Sequence, residues 1–177
     1  MLLIRRRRAG VHRKLGAAAM WLAGLMVILG PATALYMQRY HWGTPDSDPP
    51  FLAIQLTDIA AFAVLAFAAF ARRNDSPAHK RLILLATLYI SDAGFARLLG
   101  GGVHGLLGNG FWPLFASLYL ANDLLILGMG AYDLMTRKRL HPAYATAAGF
   151  IFALQTAAVF LDRSPVWKPI ALRLIGH

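Results

Sequence analysis

The chain has 177 residues, of which 58% are hydrophobic and 15% charged, with a formal net charge of +10 and a mean hydropathy of +0.51. Soluble domains carry about 25% charged residues, so most of this chain cannot face water, and an all-α integral membrane bundle is the class that remains. The absence of cysteine excludes disulfides, iron–sulfur ligation and thiol catalysis.

Five apolar runs approach the roughly 20 residues that a bilayer-spanning helix needs. The first, about 15–37, follows the arginine run Arg5–Arg8 and the stretch "VHRKLG" that begins at Val11. A basic head, an apolar run and "ATA" at Ala32–Ala34 have the form of a signal peptide. The run is longer than the 7–15 residues of a signal core, so it reads as a retained span. "HWGTPDSDPP" leads to the second span, about 51–71, and "RRNDSPAHKR" to the third, about 82–99. The glycine-crowded "GGGVHGLLGNG" leads to the fourth, about 111–131, and "TRKRLHP" to the fifth, about 143–161. Gly, Pro, Asn and Asp mark each connection as a membrane-edge loop, and the glycine-crowded one reads as a flexible hairpin or a shallow re-entrant lid. The tail, 165–176, is too short to span. With Trp167, Ile170 and Leu174 on one side it reads as an interfacial helix, with a disordered tail as the alternative.

Thirteen of the eighteen cations fall on one side of this arrangement: Arg5–Arg8, Arg13, Lys14, Arg72, Arg73, Lys80, Arg81, Arg137, Lys138 and Arg139. Arg39, Arg163, Lys168 and Arg173 lie opposite, and Arg97 lies within the third span. Short loops biased in this way mark the cytoplasmic side. The expected topology is N-terminus cytoplasmic and C-terminus periplasmic, in a bacterial inner membrane. The basic excess is then a topology signal and not a nucleic-acid site. Anionic lipid headgroups are the expected counter-charge for Arg5–Arg8, and a membrane-protein partner or a homo-oligomer fits an accessory subunit.

All eight acids are aspartates. Asp58, Asp92 and Asp123 fall well inside apolar runs. The helical rise places Asp58 and Asp92 roughly 10 Å, and Asp123 about 15 Å, below the periplasmic face. Arg97 lies nearer that face, and side chains lean toward a helix's N-terminus, so it is expected to reach Asp58 or Asp123 on another helix. Thr57, Tyr89, Ser91, Asn122 and Gln155 add polar groups near the same level. A charge at such depth costs at least about 2.5–3.5 kcal/mol. Three carboxylates against one guanidinium leave negative charge that a proton, a cation or another basic group must complete. The expected ligand-binding set is therefore Asp58, Asp92, Arg97, Asn122 and Asp123, with a purely structural polar network as the alternative.

His12, His79 and His141 all sit at cytoplasmic helix starts, a position that topology alone gives to the odd-numbered helices. His12 and His79 could ligate heme b if helices one and three touch. The competing account is an interfacial anchor with a dry body and a wet polar tip.

"VHRKLG" at the first span, "AHKRLILLATLYISDAGFARLL" forming the third and "DLMTRKRLHPAY" joining the last two resemble a family of small bacterial multi-pass membrane proteins without an established activity. The His-Arg-x-Leu-Gly and His-Lys-Arg pieces are also remotely similar to cytochrome b561-like membrane proteins. That second resemblance implies a heme b or quinone site, with His12 and His79 as its cofactor-binding residues. It departs where the b561 type sets facing histidine pairs inside its helices, because no histidine here lies in a membrane core. A two-heme carrier is excluded on that ground, and a single heme or quinone site remains. The sequence marks no catalytic residue and no metal motif.

Overall fold

The computed structural model describes residues 9–177, and the side chains from Gly10 onward. The arginine run Arg5–Arg8, expected at lipid headgroups, lies outside the described residues. Those residues form helices and no strands, and five of the helices are long and apolar enough to cross a membrane. They are α1 (Ala9–Tyr40), α2 (Leu52–Ala71, entered through the 3₁₀ turn Pro49–Phe51), α3 (Ser76–Leu107), α4 (Phe111–Arg137) and α5 (Pro142–Asp162). A short α6 (Trp167–Ile175) follows.

Local chemistry sets the boundaries. At the start of α3 the Asp75 carboxylate accepts from the Ala78 N–H at 3.2 Å, and Pro77 lies in the first turn. At α5 the cap is His141, whose Nδ1 accepts from the Ala143 N–H at 3.2 Å ahead of Pro142. A side-chain acceptor before a first-turn proline satisfies amide groups that have no intrahelical partner. His141 thus serves a helix end.

Helix α2 is the centre of the bundle, packed against α1, α3 and α5. Its Ala61, Leu65 and Ala69 meet Ala78, Leu82 and Leu85 of α3 and Ala147 and Ile151 of α5, all buried. Alanines along these contacts let the backbones approach, which is how helices associate when lipid supplies no hydrophobic drive. Gly130 of α4 does the same for a side chain. A Cβ there would stand 2.5 Å from the Tyr144 hydroxyl, which instead donates to the Ile126 carbonyl at 2.8 Å. At the basic end of the bundle Asp133 of α4 is buried and takes two hydrogen bonds from the Arg81 guanidinium of α3, that from Nε at 2.7 Å. It also accepts from the His141 N–H at 3.4 Å, which ties the α4–α5 turn to the pair.

Two expectations change. The third helix runs to Leu107, so the glycine-crowded stretch is mostly helix, and only 108–110 connects it to α4. The reason lies at Gly100, where a Cβ would come 2.7 Å from the Ser117 carbonyl oxygen. Glycine there lets the α3 and α4 backbones meet, and that packing outweighs glycine's poor helix propensity. The helix is irregular. A tight turn at Ser91, whose N–H bonds to the Leu88 carbonyl at 3.1 Å, is followed by a π turn over Ala96–Gly100. The tail is helical and docked. It buries Trp167, Ala171 and Ile175 against Ala34 and Leu52, while Ile170 and Leu174, expected on its apolar face, stay exposed. An i, i+4 spacing fixes the docked face, and the Trp167 indole N–H donates to the Pro50 carbonyl at 2.9 Å.

Helix α1 is peripheral. It packs on α2 and α6, with Gln38 donating to Gln55 at 3.2 Å, and is not packed along α3. Trp21 is 79% exposed and Ile28 71%, as suits a face turned to lipid.

Candidate functional site

Because α1 packs on α2 and α6 and not along α3, a cavity of about 890 Å³ opens between α1 and α3, with α2 and α4 behind it. Its walls are mainly Leu22, Leu25, Met26 and Leu29 of α1 and Ile54 and Ile59 of α2. Asp58 of α2 and Asp92 of α3 interrupt this apolar lining, beside Tyr119 of α4.

Asp92 directly follows the tight turn at Ser91, and the break in the helix directs its carboxylate inward. It is 3% exposed. One oxygen accepts from the Ala93 N–H at 2.5 Å, and the other, Oδ2, has no hydrogen-bond partner among the described residues. Asp58 lies beside it and receives a long, 3.5 Å hydrogen bond from the Tyr119 hydroxyl. The Tyr89 ring stacks on Tyr119 with centroids 6.5 Å apart, and its own hydroxyl is buried and unpaired. Behind the tyrosines Asn122 is fully buried, its amide donating to the Tyr89 carbonyl at 3.4 Å and its Oδ1 unpaired. A backbone carbonyl as partner requires that the nitrogen face it, so the orphan is the oxygen.

The expected set thus divides. Asp58 and Asp92 come together at the cavity, and Asn122 backs them. Asp123, one residue on, points to α5 instead, where it accepts from Gln155 Nε2 at 3.0 Å. The expectation for Arg97 is corrected. It lines the cavity but is exposed, donates to its own helix at the Ala93 carbonyl at 3.0 Å, and pairs with neither Asp58 nor Asp123. A carbonyl one turn back satisfies the guanidinium without holding a long side chain across apolar space. The ion pair found among the described residues is Arg81–Asp133, at the other end of the bundle.

His79 and His12 have separate surroundings. His79 Nδ1 bonds to the Ala69 carbonyl at 2.7 Å, closing the end of α2, and its ring lies 6.4 Å from Phe70. His12 is half-buried on the first turns of α1. The packing that a His12–His79 pair requires, α1 along α3, is not formed. No group of three or more His, Cys, Asp or Glu side chains among the described residues is placed to hold a metal ion.

Tyr119 and Asp133 were the residues that polarity along the chain did not single out as partners. A signal for both exists. Phe115, Tyr119, Asn122, Ile126, Gly130 and Asp133 are the buried residues of α4, and their spacing of three and four makes one inward stripe. Once Asn122 is placed inside, Tyr119 and Asp133 follow.

The site offers more acceptors than donors. Asp92 Oδ2 and Asn122 Oδ1 are buried without a donor, and Asp58 has only the long bond from Tyr119. The chain matches no protein-family model, no curated protein and no solved structure.

Proposed function

We propose that this is a multi-pass protein of a bacterial inner membrane, N-terminus in the cytoplasm, that binds a proton, a cation or a small ligand at Asp58 and Asp92. One observation carries the reading: two neighbouring carboxylates face an apolar cavity, one of them 3% exposed with an unpaired oxygen. An uncompensated carboxylate in low dielectric is unfavourable by several kcal/mol, so a positive charge or a proton must complete the site. Asp58, Asp92 and Tyr119 would contact it directly, Asn122 would hold the Tyr89 backbone, and Arg97 would stand at the rim. Orientation is supported by the cation excess at one end. A packing role alone is poorly rewarded, since intramembrane hydrogen bonds contribute about 0.6 kcal/mol on average.

The test is carbodiimide labelling of the purified full chain in lipid nanodiscs at pH 5, read by peptide mass. The expected result is an adduct at Asp58 or Asp92 and none at Asp133, whose two oxygens are engaged by the Arg81 guanidinium. Asp92→Asn should remove the adduct and keep the helical circular dichroism. If both carboxyls stay inert and Asp92→Asn changes only the melting temperature, the network is structural.

A second reading, a heme b or quinone site at His79 without His12, has one observation in its favour. The bond from His79 Nδ1 to the Ala69 carbonyl fixes the tautomer that leaves Nε2 as a lone-pair donor. A Soret band in the purified protein, lost in His79→Ala, would support heme; a colourless protein removes that version.

A further inference from the structure

We infer that the cavity between α1 and α3 takes a lipophilic amine, a protonated amino group on an apolar body, and that it enters sideways from the membrane. This rests on the carboxylate reading above and names the ligand class.

The hydrogen-bond balance selects the head. The unpaired oxygen of Asp92 and the weakly bonded Asp58 can both accept. An ammonium brings three N–H donors and one positive charge to that cluster. A neutral alcohol brings one donor and no charge. A quaternary ammonium brings charge and no donor. A calcium-like cation requires six to eight oxygens, more than Asp58, Asp92 and Tyr119 supply. Arg97, the cation at the rim, is turned to the Ala93 carbonyl and leaves the two carboxylates without a charge partner among the described residues.

The walls select the body. Leu22, Leu25 and Leu29 line the cavity and are still 58%, 51% and 51% exposed. The apolar lining is therefore continuous with the outer surface of α1 and is not sealed from its surroundings. That surface is where lipid lies in a spanning helix, so the opening leads into the membrane. An alkyl or aryl body can lie along α1 while its amino group reaches Asp58 and Asp92. Helix α1 suits a movable wall, because it is held only by α2 and α6 and lacks one ladder hydrogen bond at Pro31, a residue with no N–H.

The experiment uses the full chain in nanodiscs with N,N-dimethyldodecylamine as probe, read as protection of Asp58 and Asp92 from the carbodiimide. This tertiary amine carries a charge and an N–H donor when protonated but cannot trap the activated carboxyl as an amide. At saturation it should slow labelling at least tenfold, and dodecanol at the same membrane fraction should leave labelling unchanged. Leu25→Trp narrows the cavity from an exposed position that the fold tolerates. It should weaken protection by N,N-dimethyldodecylamine at least tenfold and leave protection by protonated trimethylamine as it was. Equal protection by dodecanol and the long-chain amine overturns the inference, as does an unchanged response in Leu25→Trp. Protection by trimethylamine with none by the long-chain amine also overturns it while the carboxylate site stands. Carboxyls that never react remove the parent reading as well.

Discussion

At the scale of single residues the buried acids of this bundle fall into two opposite cases. Asp133 has its counter-ion: Arg81 approaches it with two hydrogen bonds, and both side chains are largely withdrawn from solvent. Removing one partner of such a pair leaves an uncompensated buried charge and costs about 3–5 kcal/mol. Asp133→Leu and Arg81→Leu should each lower the melting temperature in detergent, followed by circular dichroism. The double variant Arg81→Leu/Asp133→Leu should regain most of the loss, since an apolar pair of similar volume is often neutral. Full additivity of the two losses would show that the residues act separately. Asp58 and Asp92 have no such partner, so Asp92→Asn should remove carbodiimide reactivity with little loss of stability. Their presence is legible in the sequence, because a charge deep in an apolar run is costly wherever it points. The destination of Arg97 is not. A long side chain has many acceptors within reach, and the choice of its own Ala93 carbonyl depends on how the turn after Ser91 is built.

At the scale of helices the same contrast holds between composition and packing. The existence of five apolar helices follows from hydropathy alone, because a bilayer leaves backbone groups no partners except their own helix. The ends of α3 do not follow from it. Glycines 100, 101, 102 and 105 read as a loop on propensity, about 1 kcal/mol each against alanine. Packing reverses that reading where Gly100 meets the Ser117 carbonyl. Gly100→Ala should therefore destabilise the protein, contrary to its effect in an isolated helix, by about 1–3 kcal/mol of overpacking. Gly101→Ala, where a Cβ meets nothing within 4 Å, should be neutral or stabilising, and thermal unfolding of the two variants separates the accounts. Helix α6 is held by a different contact. Trp167 buries its ring against the ends of α1 and α2 and donates to Pro50. Trp167→Ala should cost about 3–5 kcal/mol and make the segment after Asp162 sensitive to protease in detergent, while the α2–α3–α5 core stays resistant.

At the scale of the whole molecule, five crossings would place the starts of α1 and α6 on opposite sides of the membrane, and charge would decide which is which. The 72–75 and 138–141 connections lie with the basic end. The 41–48, 108–110 and 163–166 connections lie opposite, where cations are few. Translocating a Lys or Arg against the membrane potential is unfavourable, by about 2.3 kcal/mol per charge per 100 mV, so the basic end should stay in the cytoplasm. The proposed orientation also decides which leaflet the site would meet. Asp58 lies seven residues after Phe51 and Asp92 lies in the distal half of α3, so in that orientation the α1–α3 opening would meet the periplasmic leaflet. The chain has no cysteine, so single cysteines report the sides without background. Asn109→Cys, in the exposed 108–110 connection, should react with a membrane-impermeant maleimide in cells whose outer membrane has been made permeable. Asn74→Cys, in the exposed 72–75 connection, should react only after lysis. The reverse pattern would turn the bundle over and move the mouth of the cavity to the cytoplasmic leaflet. The carboxylate pair and its need for a positive charge would stand unchanged.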